Sequence, residues 1–144
     1  MNEESYLKER LEGQIMWYDD KSAKNKKWFR ICQSTQIVIA SLITLSGIFT
    51  PKDFPWVYYA IPLLGAIIAI TSGILGLCKF QENWLEYRTT TESLRHEKYL
   101  FLTKSEPYNT ENPLNLLVSR VETLISKENT NWAQYMRKVS KEKE

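Results

Sequence analysis

The sequence predicts an all-α fold: a two-transmembrane helical hairpin whose long helices extend into a cytoplasmic helical bundle. Three observations predict it. No Asp, Glu, Lys, Arg or His occurs between Arg30 and Lys52, or between Asp53 and Lys79. Each gap exceeds the roughly 20 apolar residues needed to cross about 30 Å of hydrocarbon. The flanks, in contrast, are rich in charge at helical spacing. The 144 residues would also fit one soluble bundle with two buried helices, and the slightly negative mean hydropathy suits that alternative. That average mixes two apolar blocks with polar flanks, however, and a soluble helix normally keeps a charged face.

Residues 1–30 read as a cytoplasmic N-terminal helix, with Leu7, Leu11, Gln14 or Ile15, and Tyr18 at three- and four-residue spacing. No proline precedes Pro51, so this helix runs into the first span, 31–50. The span starts too far along the chain, after too polar a helix, to resemble a signal peptide. Residues 51–56 form a short external loop with two prolines, which stop and restart helices. The second span, 57–78, opens with Trp56, Tyr58 and Tyr59 as an interfacial aromatic belt. Residues 79–104 extend it into the cytoplasm through Phe80, Trp84, Tyr87, Thr91 and Leu94, a heptad-like seam. Arg88 and Glu92 are spaced for an i,i+4 pair. From Ala60 to Leu102 one helix would run roughly 65 Å. Residues 105–112 are a break. Asn112 then reads as an N-cap and Pro113 as the first residue of a C-terminal helix, 113–139, before a frayed tail, 140–144.

Lys21, Lys24, Lys26, Lys27 and Arg30 precede the first span, and Lys79, Arg88, Arg95 and Lys98 follow the second. Excess Lys and Arg marks the cytoplasmic side, which places both termini inside and the loop outside an inner membrane. Cys32 and Cys78 sit at the cytoplasmic ends of the spans, where a reducing compartment disfavours a disulfide, and read as small buried apolar side chains.

Chemistry is thin. His96 is alone on a polar helix surface, and acid–base catalysis needs partners it lacks. No phosphate loop and no Cys/His zinc spacing occurs. Asp19, Asp20 and Glu122 read as solvated helix faces. These features give no reason to expect an enzyme, a cofactor or a nucleic-acid partner. The expected partners are the bilayer and further copies of the chain.

Within the spans, Gln33, Gln36, Ala40, Thr44 and Gly47 fall on one helical face, opposite Val38, Leu42, Leu45 and Phe49. In an oligomer that stripe would line a neutral pore. The alternative is hydrated glutamines near the headgroups with Ala40 and Gly47 as packing sites. Ionisable groups suited to coupled transport are missing from both spans. Gly65, Ala69 and Gly73, with Gly76 a turn further on, form a small-residue ridge for helix packing. Trp17, Tyr18, Trp84, Tyr87, Leu94 and Trp132 are the expected cytoplasmic core, with Trp84 and Tyr87 facing Tyr18 and Trp132.

The polar segments Q-I-M-W-Y-D (Gln14–Asp19), K-N-K (Lys24–Lys26), F-Q-E-N-W-L-E-Y-R (Phe80–Arg88), E-S-L-R-H-E-K-Y (Glu92–Tyr99), E-P-Y (Glu106–Tyr108) and R-V-E…E-N-T-N-W (Arg120–Trp132), in this order around two spans, resemble the SLATT superfamily, the SMODS- and SLOG-associating two-transmembrane effector domains. The nearest likeness is to stand-alone bacterial members of unknown function. The resemblance implies a membrane effector, a pore-former in bacterial conflict systems tied to nucleotide second messengers. It also implies a separate nucleotide-sensing or effector partner, since no sensor domain is fused here. It carries over no catalytic residue. A non-conducting membrane scaffold whose cytoplasmic helices dock partner proteins is the competing expectation.

Overall fold

The computed structural model describes residues 3–47 and 55–141, with side chains as far as Lys127. Residues 1–2, 48–54 and 142–144, and the side chain of Trp132, lie outside that description. Among the described residues the chain is helical and has no strand. Helix α1 is Glu12–Ser46, α2 is Val57–Cys78, α3 is Phe80–Leu102 and α4 is Pro113–Lys141. A short helical turn, Glu3–Ser5, and a π-helical stretch, Tyr6–Leu11, precede α1. Two of these helical stretches, Glu3–Ser46 and Val57–Leu102, are long and apolar enough to cross a membrane. The chain divides into two compact units, Met1–Ser22 with Leu85–Glu144, and Ala23–Trp84.

The first unit is built on a buried cluster of Tyr6, Leu11, Ile15 and Tyr18, then Leu94 and Phe101 of α3, Tyr108, and Leu117 and Val121 of α4. The π-helical turn was not expected. It has a packing reason: its wider i→i+5 winding brings Tyr6 and Leu11, five residues apart, onto one buried face. Helix α3 ends in a Schellman motif. Lys104 adopts a left-handed φ of 53°, Ser105 N–H donates to the Leu100 carbonyl (3.0 Å) and Lys104 N–H to that of Phe101 (3.1 Å). The connection then carries a cis Glu106–Pro107 bond and returns Tyr108 to the core, its ring edge-on to Phe101 at 5.6 Å. Helix α4 starts at Pro113, and Leu116 N–H reaches the Asn112 carbonyl, as the capping residues predict.

In the second unit α1 and α2 pair antiparallel. The Gln36 amide donates to Thr71 Oγ1 (3.3 Å) and Ser72 Oγ (3.1 Å). Further along, Leu42, Leu45 and Ser46 of α1 share an apolar cleft of about 470 Å³ with Trp56, Val57, Ala60, Ile61 and Leu64. The least exposed α1 positions, Cys32, Gln36, Ile39, Ile43 and Ser46, recur every three or four residues and form the seam. The uninterrupted helix expected from Ala60 to Leu102 is instead broken at Lys79, which takes a left-handed φ of 47°. Asn83 covers the freed end, its side-chain amide donating to the Cys78 carbonyl at 3.0 Å. Cys32 is buried, but Cys78 is exposed, because it faces away from that seam.

Candidate functional site

Along α1, Gln33, Ala40, Thr44 and Gly47 are exposed, whereas Gln36 is half-buried and bonded to α2. At about 100° per residue the exposed four lie about a quarter turn from the seam. Gln36 therefore belongs with hairpin packing, and its reach to two hydroxyls explains why. The Thr44 hydroxyl is turned back onto the Ala40 carbonyl at 2.9 Å, as hydroxyls in apolar helices commonly are. Val38, Leu42 and Leu45 are exposed too, on the other flank of the seam.

Along α2 the seam runs through Val57, Ala60, Leu64, Ile67, Thr71 and Leu75. The ridge Gly65, Ala69, Gly73 and Gly76 is exposed on the far side. A Cβ built at Gly65, Gly73 or Gly76 would meet nothing within 4 Å. The hairpin therefore makes no use of the close approach these residues permit.

The aromatic positions divide between the units. Tyr18 is buried, with Trp17 edge-on at 4.9 Å and Tyr87 at 6.1 Å. Trp17 is 47% exposed and so rims the core instead of filling it. Leu94 is fully buried. Trp84 is half-buried in the second unit, where the Lys26 ammonium sits 5.4 Å from its ring centre.

The polar core of the first unit was not legible beforehand. Glu97, only 6% exposed, accepts two bonds from the Arg120 guanidinium, at 2.8 and 2.7 Å, and one from the Tyr108 hydroxyl. Burial disfavours the Glu97 charge, but the Arg120 and Tyr108 hydrogen bonds and the Arg120 charge outweigh it, so its carboxyl lies below the ordinary value. Burial, then the bond to the Glu97 carboxylate and its charge, push the Tyr108 phenol up. One available signal was position: Glu97 stands three residues after Leu94 and four before Phe101, on the apolar seam of α3. Asp19 and Glu122 are not plain solvated faces either. Glu122 takes a two-pronged contact from Arg10 at 3.0 Å, and Asp19 pairs with Arg95 at 3.3 Å. Lys98 reaches Glu12 at 2.7 Å, and the expected Arg88–Glu92 pair forms at 2.8 Å. The Arg10–Glu122, Arg95–Asp19 and Lys98–Glu12 pairs join segments far apart in sequence and leave no trace in local spacing.

His96 is exposed, beside a groove of about 500 Å³ that Arg88, Glu92, Glu97 and Leu124 help to line. No group of three or more His, Cys, Asp or Glu side chains is placed to hold a metal among the described residues.

A family described as "Protein of unknown function (DUF4231)" matches residues 13–114. The chain belongs to the DUF4231 family. The match covers the two apolar helices and α3 together, and ends as α4 begins. No curated protein and no solved structure matches this DUF4231 chain.

Proposed function

We propose that this DUF4231 protein is a two-span protein of the bacterial inner membrane, with both termini cytoplasmic, that assembles as a homo-oligomeric channel or pore-forming effector. The carrying observation is the outward placement of the wrong residues for lipid. Gln33 and Thr44 on α1, and the glycine ridge on α2, are exposed on the hairpin. Lipid gains nothing from glutamine or glycine, whereas a neighbouring hairpin can pack closely on the ridge and hydrate or bond the polar stripe. A single pair of helices encloses no water path, so conduction requires several copies. The resemblance to SLATT effectors adds a gating signal from a separate nucleotide-sensing partner. The second reading, a non-conducting scaffold, draws on Met16, Leu85 and Tyr99, large side chains exposed on the first unit.

The test is reconstitution in planar bilayers under a salt gradient. A pore lined by a neutral stripe should discriminate weakly between small ions of like charge. Thr44→Asp would add a ring of carboxylates and shift the reversal potential toward cations. Val38→Asp, on the other flank, should instead impair insertion. Silence from both wild type and Thr44→Asp, with folded and oligomeric protein, would favour the scaffold. Altered selectivity in Val38→Asp alone would mean that the opposite face lines the pore.

A further inference from the structure

Lys27 and Arg30 are exposed, and they stand in register with the apolar face of α1. The series Lys27, Ile31, Ser34, Val38, Leu42 and Leu45 advances by three or four residues at each step, so it is one continuous helical stripe. Arg30 flanks it, three residues beyond Lys27. Ile31, Val38, Leu42 and Leu45 on the stripe are all exposed. The sequence has no Asp or Glu between Asp20 and Asp53, so α1 places no carboxylate within a helical turn of Lys27 or Arg30. Lys26, on another face, is turned to the Trp84 ring. Beyond Arg30, ten residues of α1 cover about 15 Å, one leaflet of a roughly 30 Å core.

We infer that Lys27 and Arg30 form a binding site for the headgroup of an anionic phospholipid whose tails lie on the Ile31–Val38 face. This rests on the membrane reading proposed above. Charge complementarity selects the occupant: two cations at headgroup depth match a phosphate diester, and the apolar stripe beneath matches acyl chains in length and direction. A guanidinium adds a forked donor pair suited to phosphate oxygens. A basic residue beside an anionic surface contributes about fivefold in affinity, so removing two should cost about thirtyfold.

The experiment uses the full chain in a neutral detergent, titrated with dioctanoyl phosphatidylglycerol, dioctanoyl phosphatidylcholine and inorganic phosphate. Wild type should prefer phosphatidylglycerol, with the preference shrinking as salt rises. Lys27→Gln/Arg30→Gln should lose about thirtyfold for phosphatidylglycerol and keep its phosphatidylcholine affinity. Lys104→Gln/Lys127→Gln, which removes the same charge from the other unit, should bind like wild type. Equal phosphatidylglycerol affinity in wild type and Lys27→Gln/Arg30→Gln overturns the site. Equal losses in both double variants reduce it to net charge and overturn it as well. Competition by inorganic phosphate as strong as by the lipid would make it a free-anion site, which also overturns it. Alkaline carbonate extraction of membranes is the separate readout: wild type released into the soluble fraction would show the membrane reading itself to be at fault.

Discussion

Arg120→Met tests whether the Glu97 clamp holds the first unit together. The Glu97 side chain is 8% exposed and its partner 46%. Methionine keeps much of the aliphatic stem of Arg120, so the loss is chiefly the two charged hydrogen bonds and the counter-charge. Removing one member of a deeply buried pair costs about 3–5 kcal/mol, because the other charge is stranded. Here the guanidinium is half in water, which screens the interaction, so about 2 kcal/mol is the expectation. For a unit of this size, at about 4–8 °C per kcal/mol, the melting temperature should fall by about 10–15 °C. Thermal unfolding of the full chain in detergent reads this, and amide exchange over α3 and α4 localises it. Glu97→Gln should cost less, since the amide oxygen still accepts a bond and the charge left behind, that of Arg120, is half in water. The double variant should recover part of the Arg120→Met loss, the signature of a coupled pair. Acid supplies a second axis. The folded Glu97 carboxyl lies below its ordinary value of 4.5. Its stabilisation is therefore fully present above about pH 4.5 and is lost as pH falls through the folded value. Glu97→Gln should lack that part of the acid loss. A fall in Arg120→Met no larger than in Lys127→Met would refute the clamp.

Three further outcomes follow from other residues. Tyr108→Phe removes a hydroxyl bonded to Glu97 and should cost about 1–2 kcal/mol near neutral pH. Because the folded Tyr108 phenol is raised, its stabilisation holds below pH 10.0 and fades above it; alkaline unfolding curves of the two proteins should converge, and parallel curves would contradict this. Gly73→Leu has free space on the hairpin and should leave its helicity intact while lowering the oligomer order seen by mass photometry; an unchanged oligomer would mean the ridge faces lipid. In a background with Cys32 and Cys78 replaced by Ser, Lys52→Cys should react with an impermeant maleimide in intact cells and Lys141→Cys should not; the reverse pattern would invert the orientation.

Part of the helical layout was legible because it follows from local chemistry. Charge-free gaps marked α1 and α2, Asn112–Pro113 marked the start of α4, and Arg88 with Glu92 marked a pair on one face. The break at Lys79 was not legible, since a left-handed lysine looks like any other lysine in sequence. Nor was the Glu97 clamp, whose three members come from α3, the connection and α4, and meet only after the chain has folded back. In the aromatic seam Tyr87 lies 6.1 Å from Tyr18, and the Lys26 ammonium over the Trp84 ring is a contact that seam spacing did not indicate. The polar stripe on α1 was visible as a pattern, yet only geometry separated Gln36, bonded across the hairpin, from its exposed neighbours.

The contrast between the unbroken α1 and the interrupted α2–α3 course bears on how the gene can change length. Helix α1 keeps one hydrogen-bonded ladder from Glu12 to Ser46. An inserted or deleted codon between Cys32 and Ser46 would turn the rest of the seam by about 100° against its start. Ile39, Ile43 and Ser46 could then stay against α2 only if Cys32 left the seam. At Lys79 the ladder is already open, and an added residue there could be taken up as a longer turn before Phe80. Indels between homologous chains should accordingly be excluded from the Cys32–Ser46 stretch and tolerated at Lys79, as a phase requirement written into one helix and absent from the other.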